Sequence, residues 1–249
     1  MTGFLASVSS VDEARLVRSL GVDVIDLKDP ARGALGALDE DSVRAIASLP
    51  DKNTMLSATI GDLPVYAAEL ESAIAGMHAC GVDIVKVGVF DRNISPFMLS
   101  VLDRLTARGI SIVLVFFAEL YPPDIDFQRL RRGGITGVML DTCEKANGNL
   151  RDKLDDGTLT EFVRKAEQAG LVTGLAGSLT RKDIPPLLEI NPDYLGFRGA
   201  LCKRHRRTSE MDGAKVAEIR KLIPKGSLFT TWEAVRDSRF RNIIRRDSG

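Results

Sequence analysis

The sequence predicts an α/β chain that closes into a single (β/α)8 barrel, the TIM-barrel type. Three observations carry that expectation. Short runs rich in Val, Ile and Leu recur through the 249 residues, segments of helical spacing separate them, and several helices pass to the next run through a glycine. Unbroken apolar runs of strand length suit parallel strands covered on both faces. Eight strand–helix alternations in roughly 250 residues match the usual size of such a barrel. An open doubly wound sheet would use fewer strands, and no Gly-x-Gly-x-x-Gly follows the first run.

The first strand is expected at 3–8. No basic stretch precedes its short apolar run, so it reads as a strand and not a secretory signal. Ser10 then caps a helix over 11–20, where Val11, Ala14, Val17 and Leu20 fall on one face. The next strands follow at 22–28, 54–60 and 82–89, with a helix over 66–80 before the last of them. Ser95-Pro96 supplies a cap and a first-turn residue for a helix over 95–108. Strands at 111–118 and 137–141, a helix over 156–169, and strands at 171–177 and 194–199 complete the series. Gly21, Gly81, Gly109 and Gly170 each stand just past a helix, where a left-handed residue turns the chain into the next strand. No Gly/Ser-rich linker divides the chain. The expectation is one domain over 1–249, ending in a basic helix or tail at 236–246.

Composition narrows the function classes. Lys+Arg and Asp+Glu both number 34, so the net charge is zero and a global nucleic-acid or anionic-membrane role has no support. The longest apolar stretch, 112–118, falls far short of the ~20 residues of a membrane helix. Cys80, Cys143 and Cys202 form no C-x-x-C pair, which argues against a disulfide framework or a zinc site and for reduced thiols in the cytoplasm. No cofactor or metal is expected, although carboxylates leave magnesium open. Self-association into a homo-oligomer is compatible with the sequence and not specified by it.

A barrel places its chemistry at the C-terminal ends of the strands, and side-chain alternation shows which residues point inward. In the second strand Val22, Val24, Asp26 and Lys28 share a face opposite Ile25 and Leu27. In the fourth, Ile84, Lys86 and Gly88 oppose Val85, Val87 and Val89; in the sixth, Met139 and Asp141 oppose Val138 and Leu140. The unbroken β-branched faces suit contact with helices, so Asp26, Lys28, Lys86 and Asp141 are expected inside one enclosed volume. Burial and a neighbouring cation favour a neutral lysine, whereas a carboxylate opposes it. A partly neutral lysine can attack a carbonyl and form a Schiff base. As purely structural ion pairs these groups would join Asp26 to Lys28 and Asp141 to Lys86. Such pairs contribute little stability relative to apolar replacements, which favours a functional reading. Lys145, on the loop after the sixth strand, is a further candidate.

The last two strands end in Gly177-Ser178 and Arg198-Gly199. Phosphate sites in barrels often follow strands seven and eight, where glycine lets backbone N–H groups approach the anion. Gly177, Ser178, Arg198 and Gly199 are therefore expected to bind a phosphorylated small molecule, Ser178 by its hydroxyl and Arg198 by its charge. The basic run 203–207 reads mainly as a solvated loop, with a phosphate or partner role open. His78 and His205 read as surface residues, and Cys143 lacks a histidine partner for nucleophilic work.

These residues carry a resemblance. Asp26-Leu-Lys28-Asp29-Pro30 with Gly33-Ala-Leu-Gly36, Val85-Lys86-Val-Gly88 and Leu140-Asp141-Thr-x-x-Lys145 resembles the (5-formylfuran-3-yl)methyl phosphate synthase family, from the first strand through Gly-Phe-Arg-Gly near 196–199. The resemblance implies condensation of two molecules of glyceraldehyde 3-phosphate, with loss of phosphate and water, in methanofuran-type cofactor biosynthesis. It implies Lys28 as the Schiff-base lysine, Lys86 as the proton acceptor, and Asp26, Asp141 and Lys145 as supporting groups. Asp-Leu-Lys on the second strand is also similar to the orotidine monophosphate decarboxylase superfamily. That group carries Asp-x-Lys-x-x-Asp on the next strand, where this chain has Ser57-Ala-Thr59-Ile-Gly61-Asp62 and no lysine. Another class I aldolase-like barrel, or a non-enzymatic barrel acting as a phosphate-ligand sensor or an assembly component, is the remaining alternative.

Overall fold

The computed structural model describes residues 1–49, 54–122, 124–144 and 147–223. Eight parallel strands, β1 (Gly3–Val8), β2 (Val24–Leu27), β3 (Met55–Thr59), β4 (Ile84–Val89), β5 (Ile112–Phe117), β6 (Gly137–Asp141), β7 (Val172–Leu175) and β8 (Tyr194–Phe197), pair in chain order. β8 pairs back on β1, Gly3 opposite Tyr194, so the barrel is closed and no strand edge is left open.

The helices are α1 (Val11–Ser19), α2 (Glu40–Ala47), α3 (Leu70–Ala79), α4 (Pro96–Ala107), α5 (Phe127–Arg132), α6 (Leu150–Lys153), α7 (Asp156–Gln168), α8 (Ile184–Ile190) and α9 (Gly213–Leu222). Ser10 caps α1 through the Glu13 amide and Ser95 caps α4 through the Met98 amide, as the sequence predicts. The four predicted turn glycines all have positive φ, between 72° and 94°. α3 starts later than expected. The chain at 64–70 makes tight turns first, Ala67 N–H donating to Pro64 O and Leu70 N–H to Ala67 O. The seventh strand ends early because Gly177 and Ser178 both enter left-handed conformations, φ 112° and 50°.

Two apolar layers confirm the predicted alternation. Ile25, Leu27, Val85, Val87, Val138 and Leu140 join the helix-facing core. Leu5, Val24, Ile84, Val113, Met139 and Tyr194 fill the barrel interior. Leu35 joins the interior too, because the loop after β2 folds back over the mouth. Asp62 holds it there, accepting from the Ala34 amide at 2.8 Å and the Leu35 amide at 2.7 Å. A Cβ on Gly33, φ 112°, would collide with that carboxylate, so only glycine suits this position. The basic segment 236–246 lies outside the described residues.

Candidate active site

Ser7, Asp26 and Ser57 stand level on adjacent strands, because the register sets Ser7 opposite Asp26 and Asp26 opposite Ser57. Both carboxylate oxygens of Asp26 are therefore engaged. Oδ2 accepts from Ser7 Oγ at 2.9 Å, and Oδ1 accepts from Ser57 Oγ at 2.7 Å and from Lys86 Nζ at 3.1 Å. Asp26 is 1% exposed and Lys86 2%. Burial alone would raise the Asp26 carboxyl, but the charges of Lys86 and Lys28 and the Ser57 hydrogen bond outweigh it and hold the acid below its ordinary range.

Lys28 follows β2 directly, is 7% exposed, and brings Nζ to 3.9 Å from Asp141 Oδ2. The structural pairing thus differs from the sequence expectation. Lys86 meets Asp26 and Lys28 meets Asp141, the reverse of Asp26 with Lys28 and Asp141 with Lys86. Residues two apart on one strand are held side by side along it, whereas a long lysine chain reaches across the interior to another strand's carboxylate. Asp141 is fixed in turn by the Thr142 amide, which donates to Oδ1 at 2.7 Å.

All four groups line one cavity of about 240 Å³ at the C-terminal ends of the strands. Gly177, Ser178, Arg198 and Gly199 line it as well. Gly177 is tightly placed: a Cβ would press on the Thr142 amide nitrogen. Gly199 opens a 3-10 turn, Gly199–Leu201. Arg198 lines the cavity while its guanidinium is bound to Glu13 of α1 at 2.5 and 3.1 Å, with Nη1 also donating to Ser7 O and Nε to Arg207 O. A buried guanidinium in a two-pronged carboxylate pair has its charge already compensated. Arg198 braces β8 against α1.

Lys145 lies outside the described residues. Its loop is held near its start by Glu119, which accepts from the Cys143 amide at 3.0 Å and the Glu144 amide at 3.0 Å. Burial and the Glu119 charge push the Cys143 thiol up to about 11, so it stays a neutral thiol near pH 7. His78 is exposed on α3, away from the cavity, but His205 and Arg207 reach its mouth. Sequence reasoning missed Ser7, Ser57 and Asp62 as site-building residues and treated Arg207 only as part of a basic run. Serine parity with Asp26 on the flanking strands was the available signal.

Comparison with known proteins adds to this geometry. A model of the 4-HFC-P synthase family matches residues 4–220. A (5-formylfuran-3-yl)methyl phosphate synthase of Methanocaldococcus jannaschii is 33% identical over 88% of this chain and 98% of its own. A Methylorubrum extorquens protein provisionally assigned the same activity is 39% identical over 89% of this chain and 92% of its own. Among solved structures, phosphoribosyl anthranilate isomerase from Thermus thermophilus superposes with a TM-score of 0.63 at 12% identity, covering 89% of this chain and 98% of that one. At that identity the likeness establishes the barrel fold alone.

Proposed function

The chain belongs to the 4-HFC-P synthase family, and from that premise we propose that it condenses two molecules of glyceraldehyde 3-phosphate to a furan phosphate through an imine on Lys28. The observation that carries this reading is the cavity itself. It holds two buried amines, Lys28 just after β2 and Lys86 on β4, each set against a different carboxylate.

The balance of the reaction suits such a site. Two triose phosphates become one furan aldehyde phosphate by losing one phosphate and two water molecules, with no net oxidation. Lys28 Nζ, as the neutral amine, attacks the carbonyl carbon of the first triose and passes a proton to the carbonyl oxygen, giving the carbinolamine. The carbinolamine hydroxyl leaves as water when a proton reaches it, and Lys86, an ammonium against ionised Asp26, is the donor at hand. The iminium then withdraws electrons from the adjacent carbon, and Lys86, now an amine, takes the C–H proton. The enamine expels phosphate from its neighbouring carbon, and the enol left behind attacks, through that carbon, the C2 carbonyl of the second triose in its ketone form. Ring closure, two dehydrations and hydrolysis of the imine release the product. In this reading Asp26 holds Lys86 in place and favours its charged form, Asp141 stands beside Lys28, and Lys145 is a further supporting acid–base group. Gly177, Ser178 and Gly199 hold one substrate phosphate, and the product serves a methanofuran-type cofactor pathway.

Borohydride reduction in the presence of glyceraldehyde 3-phosphate tests the central step. A covalent adduct mapped to the peptide containing Lys28, lost in Lys28→Ala, is the expected result, together with a furan chromophore and released phosphate from the unmodified protein. An adduct on another lysine, or none while the furan forms, overturns the role of Lys28.

A further inference from the structure

We infer that Arg207 is a second phosphate-binding side chain, holding the phosphomonoester of one triose while the Gly177–Ser178 turn and Gly199 hold the other. This rests on the two-phosphate reaction proposed above. That reaction brings two phosphates to the cavity, and the charge of Arg198 there is already engaged by Glu13.

Arg207 is built into the mouth at both ends. Its carbonyl accepts from Arg198 Nε at 2.8 Å, and its own Nη2 donates to Gly33 O at 2.7 Å. The side chain therefore spans from the loop after β8 to the loop after β2, and lines the cavity beside Lys28 and Asp141. It is half-buried. Burial and the Arg198 charge lower its pKa, with the more distant charges of Asp141, Asp62 and Asp29 opposing. Buried Arg198 and half-buried Arg220 each have a carboxylate in contact, Glu13 and, at 2.6 Å, Asp23. Among the described residues no carboxylate lies within ion-pair distance of Arg207. A guanidinium withdrawn from water without an anion is unfavourable, and a phosphate in the cavity removes that penalty. The planar fork suits two oxygens of one phosphomonoester, and the bond to Gly33 O fixes its plane in advance.

The test is calorimetric titration of the full chain with inorganic phosphate, which needs no turnover. Arg207→Gln stays polar and loses both the charge and the reach to Gly33 O; its phosphate affinity is expected to fall by about tenfold or more. Arg207→Lys keeps the charge without the fork and is expected to fall between the two. Unchanged affinity in Arg207→Gln overturns the inference. If that variant does not fold, Arg207→Lys decides, weaker binding supporting the assignment and unchanged binding overturning it. The furan assay separates this claim from the one beneath it. Arg207-dependent phosphate binding in a protein that makes no furan leaves the anion site standing and removes the proposed reaction. Furan synthesis with phosphate binding indifferent to Arg207 does the opposite.

Discussion

Asp26 is where the interior polar groups converge, and its surroundings make a pH-dependent prediction. Its folded carboxyl is held below the ordinary value of about 3.9. A depressed acid contributes stability above the unfolded pKa, and that contribution is lost as the pH falls through the folded one. Ser57→Ala removes the 2.7 Å donor, so the folded carboxyl moves back up and the loss begins at a higher pH. Acid unfolding followed by circular dichroism should shift its midpoint upward. At neutral pH the variant should be about 1.5–3 kcal/mol less stable, the usual value of a hydrogen bond to a charged group. An unmoved acid midpoint would mean that Ser57 does not act on Asp26. The four interior charges were legible from alternation along single strands. Their pairing was not, because it depends on how far one strand is staggered against another, and no single strand's sequence records that offset.

At the scale of elements, the contact between α1 and the end of β8 makes Arg198, an expected substrate contact, a brace of the barrel. Glu13 and Arg198 are separated by 185 residues and meet only when the barrel closes. Breaking a buried pair strands the remaining charge, so Glu13→Ala should cost about 3 kcal/mol in urea unfolding. A double-mutant cycle with Arg198→Met should return a coupling of about 1–3 kcal/mol. Were Arg198 a phosphate ligand and not a brace, Glu13→Ala would leave stability nearly unchanged. Most strand positions and the Ser10 and Ser95 caps were readable, since they depend on neighbours within a few residues. The loop 29–36 was recognised as a motif but not as a plug. Its geometry comes from Asp62, about thirty residues away and on the loop after a different strand, which receives the Ala34 and Leu35 amides.

On the scale of the whole molecule, closure joins the two chain-distant halves of the mouth. The loops after β7 and β8 supply the glycine turns, and Arg207 carries that edge past β1 to Gly33. Net charge could not reveal this arrangement. A chain with 34 cations and 34 anions is neutral overall, yet its fold spends Arg198 on Glu13 and leaves Arg207 beside the cavity. Anion binding there should consequently stabilise the barrel as a unit, since a ligand that binds only the closed mouth shifts unfolding by mass action. At a phosphate concentration about a hundredfold above its Kd, the gain is about 2.7 kcal/mol. For a chain near 250 residues that corresponds to a rise in Tm of about 5–11 °C. Melting curves in phosphate and in chloride of matched ionic strength separate this from general salt effects. The difference should grow with the logarithm of phosphate concentration and shrink in Arg207→Gln. Equal Tm values in the two salts would show that the mouth binds no phosphate, and with it would go the assignment of the turns after β7 and β8 as the substrate's anion site.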